Sequence, residues 1–242
     1  HHLLLMVMDK CGGKDIGYKC LRLLFEQSRQ LNIDIVGIDS SPQGKDIKEF
    51  SIENNLKYLN GVIPMCDIII SVQYHRILFD KEIKMASERA VNLHMAPLPE
   101  YRGCNQFSFA IIDGANEFGT TIHEMDPSID AGPIVAEKRF HISNSIWIEE
   151  LFNLTYDASI ELFEDYLPQL ISGEYNAIDQ NLLLSKRNSS FHFRKEIDDI
   201  KRIDLDWSQD RISKHLRATM MPGFEHPYAI VGNKKLYFTF KN

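Results

Sequence analysis

Cysteine is scarce in this chain: four residues in 242, Cys11, Cys20, Cys66 and Cys104, with no C-x-x-C pair among them. That spacing gives no support to a zinc staple or a disulfide framework and leaves reduced thiols in a cytoplasmic protein as the expectation. Long apolar runs are missing too. Segments such as Leu3-Leu4-Leu5-Met6-Val7-Met8 and Cys66-Asp67-Ile68-Ile69-Ile70 fall far short of the roughly 20 residues a bilayer span needs, and neither has the layout of a secretory signal. Positive charge is in deficit, with 27 Lys and Arg against 34 Asp and Glu and a net charge of −7. The cations alternate with acids, as in Lys195-Glu196-Ile197-Asp198, so no basic stripe suits nucleic acid, although a small anionic substrate needs only a few local cations. The 9 histidines contain no H-x-x-x-H pair, which argues against a zinc hydrolase and leaves no metal expected. His1-His2 reads as a tag remnant without function.

What is present is a core-forming composition, 44% hydrophobic, in a length that suits one large domain or a domain with a short extension. Strand-like and helix-like patterns alternate. Strands are predicted at residues 3–8, 33–38, 68–72, 90–93, 120–125 and 134–142, the third dense in β-branched residues as the centre of a parallel sheet requires. Helices are predicted from Ile16 to about Leu31, over residues 47–56, 79–89 and 106–113, the last ended by Gly114. A long helix is predicted over residues 146–171, with Ser145 as cap, Gly173 past its end, and an apolar face of Leu151, Leu154, Ala158, Leu162 and Leu170. This alternation predicts an α/β fold with a doubly wound, mainly parallel sheet. After about residue 180 the pattern changes to a short strand at 191–193, a short helix at 211–219 capped by Ser208, and a β-hairpin of residues 228–231 and 236–240 around Gly232-Asn233. The expected division is a catalytic domain of residues 1–180 and a C-terminal extension of residues 181–242, too small to fold alone.

Two segments carry chemistry. Asn92-Leu93-His94 ends a predicted strand, and His123-Glu124-Met125-Asp126-Pro127-Ser128-Ile129-Asp130 follows another, running into Ala131-Gly132-Pro133. Open α/β sheets place their sites at such strand ends. An amide, an imidazole and a carboxylate meeting there can move an acyl group to an amine: Asn92 donates to the oxyanion, His94 takes the amine proton, and Asp130 orients the imidazole and stabilises its charge. On extended chain Asn92 and His94 point to one side. Singly, N-x-H is also a strand end with a satisfied histidine, and D-x-G-P is also a turn.

The segment Asn92-Leu93-His94-Met95-Ala96-Pro97-Leu98-Pro99-Glu100-Tyr101-Arg102-Gly103 resembles the N-x-H-P-S-L-L-P-x-Y-R-G signature of the folate-dependent formyltransferases. Gly119-Thr120-Thr121-Ile122-His123-Glu124-Met125-Asp126, continuing to Ile129-Asp130-Ala131-Gly132-Pro133-Ile134, resembles that family's second block. The likeness covers roughly residues 60 to 140. It implies N10-formyltetrahydrofolate as donor and Asn92, His94 and Asp130 as the catalytic trio. It further implies that Arg76, Ile77 and Leu78 hold the pterin, with Asp126, Ile129 and Asp130 in the opposite wall; simple core packing is the other reading of Ile77 and Leu78. His123 matches a position beside the trio, either as a structural histidine or as a support to it.

Among the branches of that family, methionyl-tRNA formyltransferases carry a full C-terminal barrel and a basic surface. Glycinamide ribonucleotide formyltransferases carry a G-x-G-S-N loop, from which Asp9-Lys10-Cys11-Gly12-Gly13-Lys14 departs. Formyltetrahydrofolate hydrolases begin with a regulatory domain. Met95-Ala96-Pro97 and Arg102-Gly103-Cys104-Asn105-Gln106-Phe107 resemble instead the branch that formylates nucleotide-linked amino sugars for surface polysaccharides, as does a short extension ending in a hairpin, which in that branch helps build a homodimer. The implied acceptor is dTDP-4-amino-4,6-dideoxyglucose, ahead of a 3-amino isomer, a UDP-linked sugar or glycinamide ribonucleotide. Arg102, Gly103, Tyr101 and Lys10 are the candidate substrate-binding residues, with Lys14 beside them; a solvated loop is the other reading of the two lysines, and packing that of Tyr101. A non-catalytic folate or nucleotide-sugar module is the non-enzymatic alternative, which has no use for an intact trio.

Overall fold

A computed structural model describes residues 15–41 and 44–240 and the backbone of residues 4–8. Lys10, Lys14, Cys11, Leu3, His1-His2 and the Pro42-Gln43 part of the predicted turn lie outside the described residues. In chain order the first half consists of β1 (Leu4–Met8), α1 (Ile16–Gln27), β2 (Gly37–Ser40), α2 (Lys45–Glu53), β3 (Cys66–Val72), α3 (Asp80–Ile83), β4 (Ala86–His94), β5 (Arg102–Gly103) and α4 (Gln106–Asp113). It continues with β6 (Glu117–Glu124), β7 (Ile134–His141), α5 (Ile148–Ser172), β8 (Phe191–His192), α6 (Ile197–Lys201), β9 (Arg202–Ile203), α7 (Gln209–Thr219), β10 (Tyr228–Val231) and β11 (Lys234–Tyr237), with single 3-10 turns at Gln180–Leu183 and Arg194–Glu196.

Six strands form the central sheet in the order β2-β1-β3-β4-β6-β7. The pairs up to β4 are parallel, and β4–β6 and β6–β7 are antiparallel. The fold is therefore α/β with a mixed, mostly parallel sheet. Strand β3 is buried on both faces, as its unbroken Ile68-Ile69-Ile70 run demands. Ile68, Ile70 and Val72 join the main core with α1, α4 and α5, while Ile69 joins a smaller cluster with Leu59, Ile63 and Leu78.

Five local expectations give way. Residues 86–89 are strand rather than helix: α3 stops at Ile83, and Arg89 is anchored through Nη1 to the Ile171 carbonyl at 2.8 Å, so tertiary pairing overrides the helix propensity of a Lys-Met-Ala-Ser-Glu-Arg stretch. The second strand is Gly37–Ser40, four residues later than the apolar run, because that segment is the one in register with β1. Helix α5 is capped at Trp147 rather than Ser145, and Leu154 is 43% exposed rather than on the apolar face. The predicted 106–113 helix and the Ser208 cap stand as read, and the hairpin around Gly232 forms with its second strand at Lys234–Tyr237 rather than 236–240. No helix among the described residues is long and apolar enough to cross a membrane.

After α5 the chain touches the edge of the central sheet through one bridge, Ile178 to Ile134, and then forms a separate two-stranded ladder. β8 pairs with β5, bringing Phe191 opposite Arg102 and His192 opposite Gly103. β9, β10 and β11 form a separate three-stranded sheet, and α7 packs on α4 and α5. This return positions the site.

Candidate active site

Strand register brings the first polar pair together. In the antiparallel β4–β6 ladder Asn92 lies opposite His123, so their side chains share a face, and the Asn92 Nδ2 lies 3.1 Å from His123 Nε2. His123 Nδ1 is 2.8 Å from the Glu124 carbonyl. A carbonyl only accepts, so Nδ1 carries the proton and Nε2 accepts from the Asn92 amide. That contact uses one of the two amide N–H groups of Asn92.

His94, two residues along β4, is fixed in the same way. Its Nε2 donates to the Tyr101 carbonyl at 2.7 Å, so Nδ1 keeps the lone pair, and Nδ1 stands 3.7 Å from Asp130 Oδ2. The orienting partner of the imidazole is thus a backbone carbonyl. Asp130 faces the nitrogen that takes the proton, not the opposite one as in a Ser-His-Asp arrangement.

Asp130 reaches this place on a loop held from several sides. Its backbone is left-handed, with φ of 51°, a conformation that Asp tolerates better than most residues and that is enriched at functional sites. Oδ2 accepts from the Gly103 N–H at 2.9 Å, and Oδ1 lies 3.5 Å from His123 Nε2. Gln180 Nε2 donates to the Asp130 and Gly132 carbonyls at 2.9 and 2.8 Å. The glycine of D-x-G-P is required here, since a Cβ on Gly132 would overlap the Glu124 carbonyl oxygen. Gly103, at φ of 83°, has its Cβ position blocked by the His192 carbonyl. Burial would push the Asp130 carboxyl up, but the His94 and His123 imidazoles in their protonated form, with the Gly103 N–H, outweigh it and hold the group well below the usual carboxylate range.

Asn92, His94, His123 and Asp130 all line one cleft of about 1000 Å³. This volume is at the upper end for small-molecule sites, enough to hold two substrates side by side. Ile77, Leu78, Met125 and Ile129 give it apolar walls. Ile77 is 55% exposed there, whereas Leu78 is buried in the small core cluster and reaches the cleft only at its edge. Arg76 also lines the cleft, with its guanidinium held by Glu82 at 2.7 Å and bonded to the Gly61 carbonyl. Asp126 lines it too; its Oδ1 accepts from the Ser128 N–H and so shapes the loop.

Two candidate substrate-binding side chains are placed elsewhere. The Tyr101 ring is buried against Phe118 in the main core, at 5.6 Å between centroids, and only its carbonyl serves the site. Arg102 donates through Nε and Nη2 to the Ile129 carbonyl at 3.2 and 2.9 Å, so it braces the Asp130 loop. Gly103 lines the cleft through its backbone, and Lys10 lies outside the described residues.

Sequence reading missed residues of the C-terminal segment. Gln180 clamps the Asp130 loop by bonding carbonyls, which leave no mark in a motif. His192, Phe193, Arg194 and Lys201 form a further wall of the cleft. His192 stacks on Phe109 and is bonded through Nδ1 to Glu196 Oε2 at 2.9 Å. The signal for Gln180 is its place one helix length past the second block, which no rule of spacing exploits. Among the described residues no group of three or more His, Cys, Asp or Glu is arranged to hold a metal ion.

Comparison with known proteins is consistent with this chemistry. Residues 52–166 match the formyl transferase family. The chain is 27% identical over 172 residues to a GDP-perosamine N-formyltransferase of Brucella melitensis biotype 1, an alignment covering 71% of this chain and 63% of that relative, so it spans a little under two thirds of the relative's length. Its fold is similar to that of a sugar N-formyltransferase from a Shewanella species, with a TM-score of 0.78, 18% identity and coverage of 99% and 96% of the two chains. It is also similar to an N-formyltransferase from Helicobacter canadensis solved with folinic acid and dTDP-3-aminofucose, with a TM-score of 0.75, 16% identity and coverage of 97% and 85%. The segment that matches the formyl transferase family, residues 52–166, holds the whole Asn92–His94–Asp130 cluster.

Proposed function

We propose that this protein transfers a formyl group from N10-formyltetrahydrofolate to the amine of a nucleotide-linked amino sugar, dTDP-4-amino-4,6-dideoxyglucose in surface polysaccharide biosynthesis. The observation that carries this reading is the meeting of Asn92, His94 and Asp130 in one cleft with the His94 tautomer dictated by the Tyr101 carbonyl. The curated relative acts on GDP-perosamine, and a structural neighbour was solved with a folate and a dTDP-linked amino sugar. Both support an acceptor of this class.

The residues present fit a folate donor. The ring faces of a folate pack on apolar side chains while the pterin edge hydrogen-bonds, and the cleft offers Ile77, Met125 and Ile129 beside polar groups of the site. The donor supplies an activated one-carbon unit at the formyl oxidation level. The second N–H of Asn92 stabilises the negative charge that develops on the formyl oxygen when the sugar amine attacks. His94 Nδ1 receives the amine proton, and the Asp130 carboxylate 3.7 Å away stabilises the resulting imidazolium; as the tetrahedral carbon collapses, its bond to N10 of the donor breaks, the proton passes to that nitrogen and tetrahydrofolate leaves. His123 holds the Asn92 amide in place through its Nε2 lone pair. The same reading makes the protein cytoplasmic and a homodimer formed through its C-terminal extension, without nucleic acid or membrane partners.

The test is a panel of dTDP-, UDP- and GDP-linked 3-amino and 4-amino sugars, with glycinamide ribonucleotide, incubated with N10-formyltetrahydrofolate while folate absorbance is followed. Turnover is expected with the dTDP-linked 4-amino sugar above the rest. Turnover of glycinamide ribonucleotide alone, or none at all, overturns the reading.

A further inference from the structure

The acceptor of the proposed reaction carries a diphosphate; Lys10 and Lys14 lie outside the described residues, and two arginines of the site region are engaged elsewhere. Arg102 is spent on the Ile129 carbonyl. Arg76 is spent on Glu82 and the Gly61 carbonyl. Two other cations line the cleft, both from the C-terminal segment: Arg194 and Lys201.

Lys201 is the more informative. It is only 9% exposed, yet none of its ammonium hydrogens has a hydrogen-bond partner among the described residues. The nearest carboxylate, Glu225, is 3.8 Å away and 43% exposed, and it already accepts from Tyr237 at 3.0 Å and Lys235 at 3.4 Å. Its ammonium, held only by that long contact and lining the cleft, keeps donors to offer an anion bound there. Arg194 is exposed and has no ion pair among the described residues, while Asn105 Nδ2 holds its backbone carbonyl at 3.1 Å and so fixes the turn that presents it. Beside these cations the cleft is lined by Phe193 and Phe224, 59% and 52% exposed. Exposed phenyl faces next to free cations are what a base and its phosphates require together.

Resting on the acceptor class proposed above, we infer that Lys201 and Arg194 grip the diphosphate of a nucleotide-linked substrate and that Phe193 and Phe224 supply the face for its base. The C-terminal segment is then the nucleotide wall of the cleft, across from the donor's apolar wall.

Equilibrium binding tests this on the intact chain without catalysis. dTDP, UDP and GDP, with thymidine, uridine and guanosine as phosphate-free controls, are titrated into wild type, Lys201→Met and Arg194→Gln. Methionine keeps the aliphatic stem while removing the charge, and Arg194 is exposed, so that variant folds without difficulty. The Kd of the preferred nucleoside diphosphate is expected to rise at least tenfold in Lys201→Met and at least threefold in Arg194→Gln, with the nucleoside control unchanged within twofold. In steady-state assays the acceptor KM rises in parallel while the donor KM stays within twofold. Three results overturn the inference: diphosphate affinity within twofold of wild type in both variants, an equal loss of nucleoside and diphosphate affinity, or a rise in donor KM instead. Failure of all three diphosphates to bind wild type also overturns it. If the sugar panel yields no product while the Kd pattern holds, the acceptor assignment fails and the diphosphate grip stands.

Discussion

Replacing Asp130 by Asn isolates one electrostatic interaction. The side chains are nearly the same shape, and the Asn oxygen can still accept the Gly103 N–H that Oδ2 accepts at 2.9 Å. What disappears is a negative charge 3.7 Å from His94 Nδ1, the nitrogen that becomes protonated during transfer. At an effective dielectric of about 20, two unit charges at that separation attract by about 4 kcal/mol. If the proton has largely moved to His94 in the transition state, the rate falls by about 10³. The loss belongs in kcat, since the imidazolium exists only after attack begins, and both substrate KM values should stay within about threefold. Folate absorbance at saturating donor and acceptor measures it. A loss smaller than tenfold, or one confined to donor KM, would refute this role for the carboxylate. A stability measurement gives a second check with a definite sign. The folded carboxyl is held below its ordinary value of 3.8, so its charge stabilises the fold at pH values above that, and the contribution fades as pH falls through 3.8 toward the lower folded value. Asp130→Asn should therefore be less stable than wild type at pH values just above 3.8, with the gap narrowing as pH falls below it.

Three further outcomes follow from the same geometry. His94→Asn should lower kcat by roughly 10² to 10⁴, in line with loss of a positioned base, and near-normal turnover would remove His94 from proton transfer. Gln180→Leu leaves the Asp130 and Gly132 carbonyls without their donor. It should cost about 2 kcal/mol, seen as a fall in Tm of roughly 4–8 °C by scanning calorimetry together with a reduced kcat; an unchanged Tm contradicts the clamp. Iodoacetamide at pH 8 should label Cys104, which is half-buried in the cleft, in preference to Cys66, whose thiol burial pushes up to about 11, or Cys20, which is raised further by burial. Peptide mapping by mass spectrometry reads this out, and faster labelling of Cys66 than of Cys104 counts against it.

The parts of this molecule legible in its sequence are those where local chemistry and tertiary demand agree. Gln106–Asp113 ends at Gly114 because a left-handed residue is needed there, at φ of 71°, and the sequence provides it. Residues 86–89 mislead because their helix formers are recruited into β4 by pairing with β3 and by the Arg89 anchor on α5, the latter 82 residues distant, and neither lies within a local window of sequence. In the site, Asn92, His94 and Asp130 stand out in the sequence because the proposed chemistry asks for those side chains at strand ends. The partners that set their protonation and position, the Tyr101 carbonyl, the Glu124 carbonyl and the Gly103 N–H, are backbone groups that any residue can supply. Side-chain patterns therefore named Tyr101 and Arg102 while missing what each does.

This division bears on how much of the chain the chemistry needs. The motifs end near residue 134, yet the Asp130 loop is fixed by contacts on both sides of that point. Gly103 donates to the carboxylate, and the strand bearing Gly103 is paired with β8, where the Arg102 N–H reaches the Ser190 carbonyl at 3.1 Å and the Cys104 N–H the His192 carbonyl at 2.9 Å. Gln180 bonds the loop directly, and Arg187 ties the following segment to Glu137 on β7 at 2.6 Å. A carboxylate 3.7 Å from its imidazole loses much of its effect if the loop moves by an ångström or two, because the charge then gains water as well as distance. On the proposed mechanism, the residues after 180 therefore bear on transfer through the placement of Asp130, and a substrate bound as inferred against His192, Arg194 and Lys201 would adjoin the strand pair that holds that carboxylate.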